Sequence, residues 1–247
     1  MRKRRGFTLI EVLVVVVIIA LLVAILLPSL TQAREQGRKA TCGVHIHGVA
    51  QAVFMYTQSY KGRTHAAPNH GLWDNALFNP PQVVKYKAND RLAYWGIAYF
   101  KYAPNRDIYG CPSQKRVDDW PESGWRTKMQ KFFKHCSYGI NGYISNKVLD
   151  HEFKRPAETI MFQDHIEQKM DSISSDMFCL GGGAINLTQW RNAPRGSGPN
   201  PWFPDGVDEC FRHAKQSNTV WMDGHVSHIR KTTGKDVPNS WYTGKFE

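Results

Sequence analysis

The sequence predicts an α+β chain in which a long N-terminal helix, transmembrane in its first half, packs on a small antiparallel β-sheet domain. Three observations predict it. An apolar run from Phe7 to Leu27 is interrupted only by Thr8 and Glu11. A three- and four-residue apolar spacing follows at Ile46, Val49, Ala50, Val53, Tyr56 and Tyr60. Beyond Gly62 the pattern changes to short apolar segments separated by Gly, Pro, Asn and Asp.

The apolar run comes first because it sets the compartment. About 20 apolar residues cross a hydrocarbon core of roughly 30 Å as a helix. Arg2, Lys3, Arg4 and Arg5 precede it, and a basic cluster of that kind stays on the cytoplasmic side, so the C-terminal bulk is expected to be exported. A secretory signal peptide would carry a shorter apolar region closed by small residues. The run here is longer and ends in Leu26-Leu27-Pro28, which argues against removal after it. A core helix is disfavoured by the basic cluster and by β-branched residues all round the helix from Val14 to Ile19.

Glu11 is the anomaly, because an ionised carboxylate in hydrocarbon costs on the order of 3 kcal/mol. It needs a partner. A cut between the small Gly6 and Phe7 would create an α-amino group of opposite charge near the membrane, and in an assembly of identical helices one subunit's Glu11 could neutralise its neighbour's amino terminus.

After Pro28 the helix is expected to continue to about Tyr60, the whole spanning about 80 Å. Its apolar face needs a partner, and Gly37 and Gly43 each weaken it by about 1 kcal/mol. The sheet is expected from a strand, turn and strand over 137–148 with Asn141-Gly142 as the hairpin, from Thr159–Gln163, and from Asn218–Met222 turning through Asp223-Gly224 into His225–Ile229. The Pro- and Gly-rich stretch 192–205 reads as a surface loop.

The net charge is +11; without the four leading basic residues, 28 Lys and Arg face 21 Asp and Glu, or +7. No compact basic stripe with stacking aromatics accompanies it, so a dispersed basic surface is expected and no nucleic-acid partner. Cys42, Cys111, Cys136, Cys179 and Cys210 are disulfide candidates in an exported domain; their odd number leaves at least one unpaired, and none sits in a C-x-x-C arrangement, which argues against a structural zinc site or a thioredoxin-like redox role and for structural bridges. For metal, His45 and His47 point in different directions on a helix. His213 and Asp223, with His225 and His228, form a richer set, read first as turn and strand-end hydrogen bonding. Asp205, Asp208 and Glu209 are candidate calcium ligands with loop carbonyls, although no calcium-loop pattern is present, and no other cofactor is expected. No nucleophile elbow, phosphate loop or H-E-x-x-H helix appears, and Gly181-Gly182-Gly183 lacks a nucleotide-binding context. Several tryptophans are expected in the core, and a sugar-binding surface built from the rest is the more speculative use. The expectation is a structural subunit, not an enzyme; the alternative is a membrane-anchored binding module for carbohydrate or protein, or a hydrolase, that does not polymerise.

Arg5-Gly6-Phe7-Thr8-Leu9-Ile10-Glu11 resembles the prepilin leader of type IV pilins and of type II secretion pseudopilins. The resemblance implies cleavage after Gly6 by the prepilin peptidase, N-methylation of Phe7, and alignment of subunits by Glu11. Pro28 also matches a proline common in pilin helices, where it bends or melts the helix locally. Implied partners are the peptidase/N-methyltransferase, other pilin or pseudopilin subunits, an inner-membrane assembly platform and membrane lipid. His213, nine residues, then Asp223-Gly224 resembles the H-X9-DG domain associated with prepilin-type processing. Weaker echoes are Cys42 on a helix, Cys111-Pro112-Ser113, Ser137–Asn141 and Pro156–Thr159. Gly43-Val44-His45-Ile46 departs from the Asn-Asn-Leu-Lys frequent in relatives. The resulting organisation is 1–6 leader, 7–30 transmembrane helix, 31–60 helix packing on the globular domain, and 61–247 an extracytoplasmic β-rich domain holding the motif at 213–224. Some pseudopilins bind calcium in that domain. The protein is expected in the cytoplasmic membrane, single-pass, N-terminus inside, and then in a surface or periplasmic filament.

Overall fold

The computed structural model describes residues 8–65, 73–75, 84–85, 93–114, 135–144, 149, 153–165, 169–170, 210–231 and 237–246. The cleavage pair Gly6-Phe7, Cys179, Gly181-Gly182-Gly183, the loop 192–205 with its calcium candidate Asp205, and Asp208 and Glu209 lie outside them. The described residues form a long N-terminal apolar helix and an antiparallel sheet, the α+β class that the sequence predicts.

Helix α1 runs Leu9–Ser59. The chain divides into two compact units, Met1–Gly37 and Arg38–Glu247. In the first unit, every large apolar side chain of α1 from Leu9 to Leu30 is exposed, from 43 % at Val23 to 84 % at Leu9. The helix is long and apolar enough to cross a membrane. It does not melt at Pro28, which sits inside α1. One missing N–H costs about 3 kcal/mol in a helix interior, and a long flanking helix tolerates that locally. Beside it, Ser29 Oγ donates to the Leu26 carbonyl at 2.8 Å and Thr31 Oγ1 to the Leu27 carbonyl at 3.0 Å.

In the second unit, α1 turns amphipathic. Cys42, Ile46, Val49, Ala50, Val53 and Thr57 are buried at the spacing of one helical face. The expected face therefore begins one turn earlier, at Cys42, and Tyr60 lies outside it, 52 % exposed and stacked on Tyr56 with ring centroids 4.2 Å apart.

The main sheet has the order β5-β3-β4-β6-β7, with β3 Tyr138–Asn141, β4 Ile160–Asp164, β5 Lys169–Met170, β6 Gln216–Trp221 and β7 Val226–Arg230. Four strands pair antiparallel, and the two-residue β5 joins β3 in parallel. A separate two-stranded ladder pairs β1 Asp74–Asn75 with β2 Val84–Lys85. Strands β3 and β4 are buried along their whole length, as expected for strands covered on both faces. One face carries Tyr138, Ile140, Phe162 and Val220, clustered with α1 and with Trp73, Tyr94, Trp95, Tyr99 and Tyr109. Ile160 and Trp221 belong to a second cluster with Cys210, Phe211, Val237 and Tyr242. Residues two apart on a strand normally share a face; a register shift between Ile160 and Phe162 lets these two serve different clusters.

Asn141-Gly142 does not form the expected hairpin. A 3-10 turn, Gly142–Ile144, follows β3, and the partners of β3 are β4 and β5. The reason lies in the Asn141 side chain, which is buried. Its Nδ2 donates to the carbonyls of Ile160 and Tyr242, both at 2.7 Å, while Oδ1 accepts the Tyr143 N–H at 3.0 Å. That local bond competes with the hairpin geometry.

The Asp223-Gly224 turn forms where expected, between β6 and β7. Gly224 has φ +90°, and a Cβ there would lie 2.8 Å from the Phe54 ring. By contrast, a Cβ at Gly43 on α1 meets nothing within 4 Å. Gly224→Ala is expected to lower the unfolding free energy by about 1–3 kcal/mol, and Gly43→Ala to raise it by up to about 1 kcal/mol. Denaturant unfolding of the detergent-solubilised full chain, followed by tryptophan fluorescence, checks both; a Gly224→Ala chain as stable as the parent would show that the turn relaxes without cost.

Candidate functional site

Among the described residues, two places carry chemistry beyond packing. The first is the start of α1. Thr8-Leu9-Ile10-Glu11 is a capping box, in which a Thr and a Glu three residues on satisfy each other's backbone amides. The Thr8 N–H and Thr8 Oγ1 donate to Glu11 Oε2 at 2.8 and 2.7 Å, and the Glu11 N–H donates back to Thr8 Oγ1 at 3.4 Å. Glu11 thus has a partner within its own chain, one that sequence reasoning missed although the T-x-x-E spacing announces it.

The second is a cluster of four buried side chains in the second unit. Cys42 Sγ, Cys111 Sγ, an Asp164 carboxylate oxygen and a His213 ring nitrogen lie within 4.8 Å of one another. Each comes from a different element, and each is held there for a local reason. Cys42 heads the buried stripe of α1. Asp164 closes β4, two residues beyond Phe162 on the face that meets α1. Cys111 follows the 3-10 turn Arg106–Tyr109, its N–H donating to Ser137 Oγ at 2.7 Å. His213 opens a tight turn into β6: its N–H donates to the Gln216 carbonyl at 3.1 Å, and the Gln216 N–H returns to the His213 carbonyl at 3.0 Å. The two central residues, Ala214 and Lys215, both take positive φ, 50° and 63°, a conformation that normally calls for Asn-Gly.

The contacts are direct. Cys42 Sγ donates to Asp164 Oδ1 at 3.3 Å, His213 Nε2 lies 3.2 Å from Cys111 Sγ and 3.5 Å from Asp164 Oδ2, and Tyr138 Oη lies 3.5 Å from Cys42 Sγ. The Asn218 N–H donates to Asp164 Oδ2 at 2.8 Å. Arg212 Nη2 donates to the carbonyls of His165 at 2.8 Å and Ser137 at 3.3 Å, which brings its guanidinium beside the cluster.

Burial and charge pull these groups in opposite directions. Burial pushes the Cys42 thiol well up. It acts the same way on Cys111, but hydrogen bonds to Cys42 and His213 and the charges of Arg212 and His213 outweigh it and bring that thiol down to about 4. Burial, aided by the Cys111 charge, pushes Asp164 up to about 6 against Arg212 and His213. Burial alone would lower His213, yet the Cys111 hydrogen bond and the charges of Asp164 and Cys111 leave it raised. The cluster therefore sets a Cys111 thiol held down against a His213 ring held up, both sealed from solvent. A low thiol value often marks a nucleophile, but a nucleophile needs access, and all four residues are buried. What the arrangement offers chemically is two sulfurs, one nitrogen and one oxygen converging on one point.

The residues read from the sequence fall out as follows. His213 stands in the cluster, but Asp223 does not join it: Asp223 Oδ1 accepts the His225 N–H at 3.0 Å and meets His225 Nδ1 at 2.6 Å in the exposed turn. Gly224 completes that turn. His45 Nδ1 pairs with the Gly110 carbonyl at 3.0 Å. Cys42, Cys111, Cys136 and Cys210 are buried and unbridged. Asp164 and Arg212 escaped sequence reasoning; the available signal was an acidic residue ending an otherwise apolar strand, Ile160-Met161-Phe162-Gln163-Asp164.

Replacing the strained pair by the residues the turn prefers, Ala214→Asn with Lys215→Gly, is expected to raise the unfolding free energy by about 1–2 kcal/mol. Both side chains are exposed, so no packing is lost. An unchanged or lower denaturation midpoint would contradict the strain.

Comparison with known proteins adds one finding. Residues 1–27 match the family described as the prokaryotic N-terminal methylation motif. No curated protein and no solved structure matches the chain. The motif and the apolar helix together mark a prepilin-like N-terminus, the kind of segment that prepilin peptidase processes.

Proposed function

We propose that the chain is a pilin-like structural subunit, inserted in the cytoplasmic membrane, cut between Gly6 and Phe7, N-methylated on Phe7, and assembled through α1 into a type IV pilus or a type II secretion pseudopilus. The observation that carries the reading is the methylation motif over residues 1–27 running directly into a helix whose apolar side chains have no cover within their own unit. Such a surface needs lipid before assembly and neighbouring helices after it. The basic cluster Arg2–Arg5 keeps the leader on the cytoplasmic side and exports residues 61–247.

Glu11 has two tasks in this reading. Both Thr8 bonds fall on Oε2, and the capping box needs nothing upstream of Thr8, so it survives cleavage. Oε1 then receives the amino terminus of a neighbouring subunit. The partners are the peptidase/N-methyltransferase, other pilin or pseudopilin subunits and the inner-membrane assembly platform. The His213–Gly224 segment belongs to an outward-facing domain of the H-X9-DG kind, in which His213 and the Asp223-Gly224 turn serve the structure and no catalysis is required.

The N-terminal peptide of protein purified from native membranes is expected to begin at N-methylated Phe7. An intact leader would overturn the reading in favour of a signal-anchored binding module. Glu11→Ala is expected to leave the membrane-bound amount unchanged and to lower filament or cross-linked oligomer at least about tenfold, the scale of a lost buried charge pair; normal assembly would remove the charge-pairing role.

A further inference from the structure

We propose that Cys42, Cys111, Asp164 and His213 form a tetrahedral structural zinc site. The proposal stands on geometry, donor type, charge and supporting contacts, and it is independent of whether the protein polymerises.

Zinc takes thiolate, imidazole and carboxylate ligands at about 2.0–2.3 Å, which sets the ligand atoms of a tetrahedron about 3.3–3.8 Å apart. Three contacts in the cluster are close to that size, those of Asp164 being made by its two different oxygens. Cys42 Sγ to Asp164 Oδ1 is 3.3 Å, Cys111 Sγ to His213 Nε2 is 3.2 Å, and His213 Nε2 to Asp164 Oδ2 is 3.5 Å. All four donors lie within 4.8 Å of one another and all four residues are buried, so closing them round an ion at the centre needs shifts of at most about 1–1.5 Å.

The donor set selects the metal. Two sulfurs and an imidazole exclude calcium and magnesium, which take oxygen, and favour zinc among available divalent ions. Four protein ligands fill the tetrahedron and leave no open position for water, the pattern of a structural rather than a catalytic site.

Charge points the same way. On binding zinc, Cys42 and Cys111 would be held as thiolates and Asp164 as a carboxylate, their protons released, so three negative charges would meet in a dry interior, where uncompensated charge is costly. A divalent ion with the neighbouring Arg212 guanidinium balances them. Outer contacts then orient the ligands, as metal sites require. The Asn218 N–H holds one Asp164 oxygen at 2.8 Å, the Tyr138 hydroxyl lies 3.5 Å from Cys42 Sγ, and Ser137 Oγ accepts the Cys111 N–H at 2.7 Å. The strained Ala214-Lys215 turn has a use in this setting, since it aims His213 into the site.

The site joins α1, the loop after the 3-10 turn, the end of β4 and the start of β6. Its ligands are separated by long stretches of sequence, so the ion would act as a cross-link and its binding energy would be folding energy.

The test uses the full chain in detergent, purified without chelator or reductant. Elemental analysis is expected to give about one zinc per chain. His213→Ala and Cys42→Ser should each cut that content at least about tenfold, while Cys136→Ser and Cys210→Ser, buried cysteines outside the cluster, should retain it. Should the ligand variants fold poorly, cobalt substitution of the unaltered chain decides: intense visible bands of tetrahedral cobalt with sulfur-to-cobalt charge transfer are expected. Absence of zinc together with failure to take up cobalt would overturn the proposal. So would a peptide map that finds Cys42 and Cys111 joined in a disulfide.

Discussion

The contact between Cys42 on α1 and Asp164 at the end of β4, 3.3 Å apart and fully buried, is the constraint around which the second unit is organised. A carboxylate in a dry core is costly unless its oxygens are satisfied. Here satisfaction draws in a helix, a strand end and a turn at once. The Asn218 amide, the His213 ring and the Cys42 thiol all converge on that carboxyl group, while Tyr138, its cross-strand partner on β3, reaches the same Cys42 sulfur. The aromatic core packs beside this polar knot. Trp95 Nε1 donates to the Tyr138 carbonyl at 3.1 Å, and Trp95 meets Phe162 with ring centroids 5.5 Å apart. Packing and polar satisfaction therefore share the same residues, and disturbing one disturbs the other.

The first unit obeys a different rule. Its helix has apolar residues on every side, so no single face can be buried against a sheet, and those side chains stay exposed. One helix thus presents two chemistries in succession: uniform apolarity up to Leu30, then a single stripe from Cys42 onward. The capping box at Thr8 and Glu11 gives its start a defined geometry inside the chain, so that a residue costly to bury serves local structure before it serves any neighbour.

Much of this was legible in the residues. The apolar run and the motif over residues 1–27 announce a prepilin-like N-terminus on a helix long and apolar enough to cross a membrane, because hydrophobic length acts locally along the chain. The stripe Ile46–Val53, the strands around Ile160–Gln163 and Asn218–Trp221, and the Asp223-Gly224 turn follow from periodicity and turn chemistry in the same way. Asn141-Gly142 misled, since the dipeptide that favours a hairpin in isolation here spends its side chain on Ile160 and Tyr242, contacts from distant parts of the chain. Tyr60 followed the helical spacing but fell beyond the end of the sheet contact.

The polar cluster shows where local reading stops. His213 stood out by its spacing to Asp223, yet its companions are Cys42, Cys111 and Asp164, and Asp223 turns instead to His225. Short-range spacing such as C-x-x-C reveals a site only when one turn or helix supplies several ligands. These four are delivered by four elements whose meeting depends on strand order and on which face of β4 meets α1. Composition and periodicity therefore suffice to say that the chain carries a helix long and apolar enough to cross a membrane and an α+β domain, because those properties sum over neighbours in sequence. The partnership of two cysteines, a histidine and an aspartate exists only once the sheet is assembled, because nothing within any one segment requires the others to be there.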